Sequence, residues 1–206
     1  MYGNTWNGND NTLRVSLCAL KTWAETRKGE RDMKSYVHIY CGDGKGKTTA
    51  AIGLSVRACG SGKRVLITRF LKTDHSGEVK ALCGLDRITV TPCERSFGFF
   101  SRMSPEQKKE AGIYYSQLLE MTLNKAVTEN FDLLVLDEIM AVCNFGLVEE
   151  ERVLEFLSAR PEGLEVVLTG REPSEKLVEM ADYVSEIRKV KHPYDSGISA
   201  RQGIEY

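Results

Sequence analysis

The sequence has none of the features that place a chain in a membrane or a secretory pathway. No apolar run approaches the roughly 18 residues that a spanning helix needs. The N-terminus has no basic segment followed by an apolar one, so no secretory signal is visible. The six cysteines are scattered, without a Cys-x-x-Cys pair or a Cys/His metal spacing. They indicate reduced thiols, and a cytoplasmic protein is predicted.

An excess of charge of either sign is also missing. The 28 basic and 29 acidic residues give a net charge of −1, so no global basic field attracts nucleic acid. The charged fraction of 28% and the hydrophobic fraction of 42% are typical of a globular protein. A length of 206 residues allows one α/β domain with a sizeable core. The net charge and the absence of a long apolar run predict neither a nucleic-acid partner nor a membrane partner.

From residue 35 onward, apolar runs alternate with helical patterns, which predicts an α/β fold with a mostly parallel sheet. The predicted strands are 36–41, 64–70, 87–91, 132–137, 164–168 and 183–190, and the predicted helices lie near 47–59, 76–83, 104–129, 147–159 and 174–181. Ser104, Pro105 and Gln107 form a capping-box start for the third helix. A single domain over 35–206 is expected.

Residues 1–34 differ from the rest. They open with an Asn/Gly-rich stretch that has no periodicity, and a weakly helical piece and a charged run follow. Three interpretations stay open: a mobile extension, an arm or lid over the site, or residues that precede a natural start at Met33.

The stretch 42–49 is the strongest functional signal. It follows the apolar run 36–41 and leads into a helix, which is the arrangement of a phosphate-binding loop. Lys47 is expected to reach the β- and γ-phosphates and the Thr48 hydroxyl to ligate Mg²⁺. Cys41 stands where the usual first glycine would be, so the loop is one residue short and is not expected to present a triphosphate as a hydrolase does. The alternative is a glycine-rich turn without a ligand. The predicted ATP ligands in the loop are Gly42, Asp43, Gly44, Lys45, Gly46, Lys47, Thr48 and Thr49.

A second signal is the apolar strand that ends at Asp137 and Glu138. Ligands of open α/β sheets bind outside the carboxyl edge, so Asp137 is placed to hold Mg²⁺ opposite the phosphate loop. Glu138 completes the metal shell or positions a reacting group. Alternatively, both acids only cap the next helix.

Cations follow other predicted strands. Arg171 follows the strand 164–168 and suits a phosphate or a developing negative charge, unless it forms only a surface ion pair. Lys72 follows the strand 64–70 and is another candidate phosphate ligand. Arg57 lies about three turns along the helix that follows the loop, where solvation alone would also explain it.

Three phenylalanines, Phe97, Phe99 and Phe100, lie in a loop before the capped helix. Such side chains are costly unless they are buried under the chain or face a ligand. Core burial is at least as good an explanation as a ligand, which would have to be large and flat or apolar.

Taken together, these motifs resemble the P-loop type of corrinoid (cob(I)alamin) adenosyltransferases from about residue 33 to the end of the sequence. The segments that carry the resemblance are 42–51, Arg57, 70–72, 136–138, 169–171, 181–186, 191–194 and 197–205. The short phosphate loop belongs to this family's pattern. The C-terminal string is the more specific part, because generic NTPases have no reason to share it.

The resemblance implies a RecA-like P-loop fold, usually a homodimer, that binds Mg·ATP and a corrinoid. The implied reaction is attack of Co(I) on C5′ of ATP with release of triphosphate, on cobalamin or a cobyrinate-type precursor. Lys47, Glu138 and Arg171 would be catalytic, with Mg²⁺ held by Thr48, Asp137 and Glu138. Arg57 would contact the nucleotide.

The family also implies a flavin-dependent reductant and aromatic side chains beneath the corrinoid that exclude its lower axial ligand. Phe99 and Phe100 align with that loop, although Ser101-Arg102-Met103 stands where the family often has a tryptophan. The competing hypotheses are an ATP-hydrolysing P-loop NTPase and a non-enzymatic corrinoid or nucleotide carrier.

Overall fold

The structure is a computed structural model that describes residues 34–72 and 76–205. The predicted N-terminal extension therefore lies outside the described residues, apart from Lys34.

Within the described residues, six parallel strands form one sheet in the order β3-β2-β4-β5-β1-β6. The predicted parallel sheet is confirmed. The central strands β2 and β4 are buried along their whole length, as expected of strands covered on both faces. The strands are β1 Val37–Cys41, β2 Val65–Arg69, β3 Ile88–Val90, β4 Leu133–Asp137, β5 Glu165–Thr169 and β6 Tyr183–Glu186.

In the part of the chain that the structure describes, two hydrophobic clusters cover the sheet. One includes Ala51 of the first helix and alternate residues of the strands, and the other joins the opposite strand faces to the longest helix. Among the described residues, no helix is both long and apolar enough to cross a membrane. The helices are α1 Lys47–Gly60, α2 Gly77–Leu82, α3 Pro105–Thr128, α4 Ile139–Asn144, α5 Glu150–Ala159 and α6 Glu175–Met180, with 3₁₀ turns at Phe100–Arg102 and Pro193–Ser196.

The observed helix start agrees with the predicted one where a capping box determines it. The predicted capping box is present: the Ser104 hydroxyl accepts from Gln107 N, and the Gln107 side chain accepts from Ser104 N. The predicted helix 147–159 begins only at Glu150, and α4 was not predicted at all. Its six residues are too few for the helical period to stand out from an apolar run.

The predicted strand 183–190 is wrong beyond Glu186. There the chain leaves the sheet and crosses the loop that follows β1. Gly44 N donates to Ile187 O over 2.7 Å, and Lys189 N donates to the Asp43 carboxylate over 2.9 Å. The C-terminal segment therefore holds the phosphate loop from outside.

The crossing of the C-terminal segment explains why the first residue of the loop, residue 42, is glycine. Gly42 has φ +101°, and a Cβ there would lie 2.4 Å from the carbonyl oxygen of Ile187. Both the backbone conformation and the contact with a fixed backbone atom exclude a larger residue.

We expect Gly42→Ala to lower the free energy of unfolding by about 2 kcal/mol or more, because a strained φ and a backbone overlap occur together. Gly53→Ala is the matched control, since Gly53 lies inside α1 with open space around it. That change should raise the stability by about 0.5–1 kcal/mol, because alanine favours the helix. Urea unfolding of both variants measures the difference, and equal effects would contradict the packing argument.

Candidate active site

The carboxyl ends of four neighbouring strands bring the predicted site residues to one edge of the sheet. Lys47 and Thr48 follow β1, Lys72 follows β2, Asp137 and Glu138 lie at the end of β4, and Arg171 follows β5. This is the edge at which open α/β sheets bind their ligands.

The phosphate loop reaches α1 through Gly46, whose φ is +126°. Lys47 is buried, and its Nζ donates to the carbonyl oxygen of Gly44 over 2.9 Å. Burial lowers the pKa of Lys47, the charge of Glu138 raises it, and the charges of Arg171 and Lys72 lower it. Lys47 therefore lies within electrostatic reach of the other predicted site residues.

Asp137 is the most enclosed acid of the site, with 1% of its surface exposed. Its Oδ1 accepts from the hydroxyls of Thr48, over 2.9 Å, and Thr169, over 2.7 Å. Its Oδ2 accepts from Lys72 Nζ over 2.7 Å. The start of α1, the end of β5 and the loop after β2 thus converge on one buried carboxylate, and burial of such a group is costly unless partners like these satisfy it.

Thr169 is a site residue whose role the sequence reasoning missed. Besides donating to Asp137, its hydroxyl accepts from Glu138 N over 2.9 Å. It therefore fixes the backbone of one acid and the side chain of the other. Its position at the end of β5, level with Asp137 at the end of the neighbouring β4, was the available signal.

The side chain of Lys72 makes contacts that the amino-acid sequence did not predict. Its Nζ lies 2.8 Å from Thr48 Oγ1, 2.7 Å from Asp137 Oδ2 and 3.7 Å from Glu138 Oε1. These three oxygen atoms belong to the three residues predicted to bind Mg²⁺. As a candidate phosphate ligand, Lys72 is thus at the right edge, but its contacts are with the acids.

Left-handed backbone conformations accumulate around the site. Leu71, Glu138 and Glu172 have φ of 58°, 62° and 51°, and each adjoins a residue predicted to act on ligand. Residues other than glycine adopt this region at a cost of about 1–2 kcal/mol each. The surrounding contacts must therefore hold Lys72, Asp137 and Arg171 in place against this strain.

The donor set suits a magnesium ion. Thr48, Asp137 and Glu138 offer a hydroxyl and two carboxylates, the hard oxygen ligands that Mg²⁺ prefers. Among residues 34–72 and 76–205, no cluster of three or more His, Cys, Asp or Glu side chains is arranged to hold a metal by itself. A site of this kind relies on substrate phosphates for the remaining ligands.

Arg171 is exposed at the mouth of the site. The loop around it is anchored by Asn144, whose side-chain amide donates to the carbonyl oxygens of Arg171 and Glu172, each over 3.2 Å. The hydrogen bond from Lys189 N is the main cause of the lowered pKa of Asp43, and the charge of Arg171 also contributes. The guanidinium thus lies within electrostatic range of the loop.

Arg57 is not brought to this cluster. It lies ten residues after Lys47 in α1, which is about 15 Å along the helix axis. Its charge acts on Tyr40, whose pKa burial raises and Arg57 lowers.

The three phenylalanines separate into different environments. Phe97 packs on Tyr114 and Tyr115 at the margin of the core. Phe99 is 74% exposed, and Phe100 stacks face to face on Phe145, with ring centroids 4.4 Å apart. Core burial therefore explains Phe97, whereas Phe99 projects into solvent. Phe145, which follows α4, was not identified from the sequence as a partner of this loop.

Comparison with known proteins places these features in one family. The family model described as ATP:corrinoid adenosyltransferase BtuR/CobO/CobP matches residues 33–206. A corrinoid adenosyltransferase of Escherichia coli K12 is 29% identical over 85% of this chain and 88% of its own length. One of Pseudomonas aeruginosa is 31% identical over 85% of this chain and 86% of its own length.

Among solved structures, ATPases 2 and 3 of EssC from Geobacillus thermodenitrificans give a TM-score of 0.45 at 13% identity, covering 83% of this chain and 36% of theirs. The family model spans nearly every described residue, including the phosphate loop, the acids that end β4 and the C-terminal segment that crosses the loop. The chain belongs to the ATP:corrinoid adenosyltransferase family.

Proposed function

We propose that this protein transfers the 5′-deoxyadenosyl group of ATP to the Co(I) of a corrinoid and releases triphosphate. The observation that carries the proposal is the convergence of the phosphate loop, the buried Asp137 and Arg171 at one sheet edge, in a chain of this family. The ATP-hydrolysing alternative has only the loop in its favour.

The reaction makes modest chemical demands on the protein. The electron pair of Co(I) forms the Co–C bond, the C5′–O bond breaks, and the triphosphate leaves with that bond's electrons. The nucleophile is the substrate's own cobalt, so the protein's tasks are to orient C5′ and to stabilise a highly charged leaving group.

Lys47 and Arg171 are the cations that would stabilise that leaving group. Lys47 would exchange its hydrogen bond with Gly44 O for phosphate oxygens, and burial would strengthen its interaction with them. Arg171 would form charge-assisted hydrogen bonds with the phosphates from the mouth of the site.

Thr48, Asp137 and Glu138 would hold Mg²⁺, which neutralises part of the triphosphate charge when bound. Asp137 is prepared for this role by the hydroxyls of Thr48 and Thr169, which fix its orientation. Glu138 would share the metal or accept from the ribose, and its Oε1 lies 3.7 Å from Lys72 Nζ, the same ammonium that contacts Asp137.

The exposed Phe99 would lie under the corrinoid and exclude its lower axial ligand, which makes Co(II) four-coordinate and easier to reduce. Phe100 would support it, since its ring is fixed by Phe145 and by the ammonium of Lys108, 4.4 Å from the ring centroid. The corrinoid would be cobalamin or a cobyrinate-type precursor, and a flavin-dependent reductant would supply the electron.

The remaining parts of the proposal concern assembly and location. The edge strand β6 is exposed at all four residues, which leaves a surface for a second copy in a homodimer. Arg57 would contact the nucleotide, and its distance from Lys47 requires that the ligand extend along α1. We place the enzyme in the cytoplasm, where its reduced thiols are stable.

Lys47→Ala should reduce adenosyl transfer at least about a hundredfold, because a buried cation at the leaving group is lost. The assay is anaerobic, with chemically reduced cob(I)alamin and Mg·ATP, and follows the visible spectrum and the phosphate products. Lys63→Ala is the control, because Lys63 precedes β2 at the opposite end of the sheet. Formation of ADP and phosphate by the unmodified protein, without a change in the corrinoid, would establish a hydrolase instead.

Phe99→Ala should lower turnover that starts from Co(II) at least about tenfold, yet leave turnover from pre-reduced Co(I) nearly unchanged. The physical reason is that only reduction depends on loss of the lower ligand. Met121→Ala is the control, because Met121 is also an exposed apolar side chain but lies elsewhere, within α3. Equal losses from both starting states would exclude this role for Phe99.

A further inference from the structure

The ammonium of Lys72 lies among the atoms that would bind the metal. It is in hydrogen-bond contact with Thr48 Oγ1 and Asp137 Oδ2, and Glu138 Oε1 is 3.7 Å away. Mg²⁺ held by Thr48, Asp137 and Glu138 would need the same hydroxyl and carboxylate oxygens as its ligands. The ammonium and the ion would then compete for the same oxygen atoms, so binding of one disfavours binding of the other.

Charge makes the exclusion stronger. Two cations that share the same two or three oxygens repel one another, and with Asp137 buried this repulsion is poorly screened by water. Lys72 in its observed position therefore neutralises the buried carboxylate and at the same time opposes a divalent ion.

The backbone holds Lys72 in this position at a cost. The preceding residue, Leu71, has φ +58°, a conformation that side chains other than glycine rarely adopt. Leu71 packs against the larger hydrophobic cluster, and Phe70 N donates to Asp137 O over 2.9 Å, which ties this segment to β4. Local strain that persists at such a point indicates a functional constraint.

We infer that Lys72 is a positioning residue that occupies the metal position before substrate binds and exchanges with Mg²⁺ when Mg·ATP arrives. This inference rests on the proposed function, because it assumes the same metal site. The displaced ammonium loses its contacts with the acids, and the negative charge of the incoming phosphates replaces them. The flexible side chain of Lys72 lets the ammonium turn from the acids to the phosphate oxygens. Metal alone brings no such compensation, so the site admits the metal–nucleotide complex in preference to the free ion.

The test measures metal binding without corrinoid and without turnover. Mn²⁺ replaces Mg²⁺ as the probe, and the electron paramagnetic resonance signal of free Mn²⁺ is titrated with protein in the absence of nucleotide. Lys72→Met should bind Mn²⁺ at least roughly tenfold more tightly than the unmodified protein, because the cation that competes for the carboxylate oxygens is gone. Lys72→Gln, which keeps a polar side chain beside Asp137, should shift the affinity in the same direction.

Three controls separate exchange from other effects. Lys72→Arg keeps the charge and should retain weak Mn²⁺ binding in the absence of nucleotide. Lys63→Met removes a lysine from the opposite end of β2 and should change nothing. Adding Asp137→Asn to Lys72→Met should abolish the gain, which assigns the Mn²⁺ to this carboxylate.

The melting temperature of each variant shows whether the substitution lowers the stability of the protein. Lys72→Met leaves the buried Asp137 without this cationic partner and should melt at a lower temperature. Saturating Mg²⁺ without nucleotide should raise the melting temperature of that variant by several degrees more than that of the unmodified protein. Unchanged Mn²⁺ affinity in both Lys72→Met and Lys72→Gln would overturn the inference, even if the unmodified protein forms adenosylcorrinoid. Failure of adenosyl transfer in the unmodified protein would overturn the proposed function instead, so the two outcomes are distinguishable.

Discussion

The site depends on a single buried carboxylate. Asp137 lies at the end of the central strand β4, and its two oxygens accept from Thr48, Thr169 and Lys72. A charge removed from water in this way is stable only while its partners stay in place. Because the partners lie at the start of α1, at the end of β5 and in the loop after β2, Asp137 sets the relative positions of these three segments. The geometry of the candidate site therefore depends on the charges and hydrogen-bond donors that surround Asp137.

The sequence predicted what depends on local order. Alternating apolar and helical segments gave the parallel sheet, and Ser104 with Gln107 gave a helix start whose hydrogen bonds are present. The glycine pattern and the acid at a strand end also predicted a candidate site at the carboxyl edge of the sheet, where the structure brings these residues together. Each of these signals is contained within about ten neighbouring residues, where periodicity and capping act directly.

What the sequence did not predict depends on which strands are neighbours. Lys72 reaches Asp137 because β2 lies beside β4, and Thr169 reaches it because β5 lies on the other side. The stacking of Phe100 on Phe145 likewise requires the short helix α4, which has no clear pattern of its own. The predicted extension of β6 is wrong because its partner β1 ends at Cys41, which pairs with Glu186, and Ile187 then contacts Gly44 of the loop. In each case a contact distant in sequence decided the outcome.

The strand order also sets the sequence of assembly. β1 carries the phosphate loop, yet its two neighbours in the sheet are β5 and β6, more than a hundred residues later. The loop then receives its outer contacts from residues 187 and 189. During synthesis, β1 must therefore wait unpaired until almost the whole domain has left the ribosome. A fold closed by such distant pairing forms slowly, and its nucleotide site is completed only at the end.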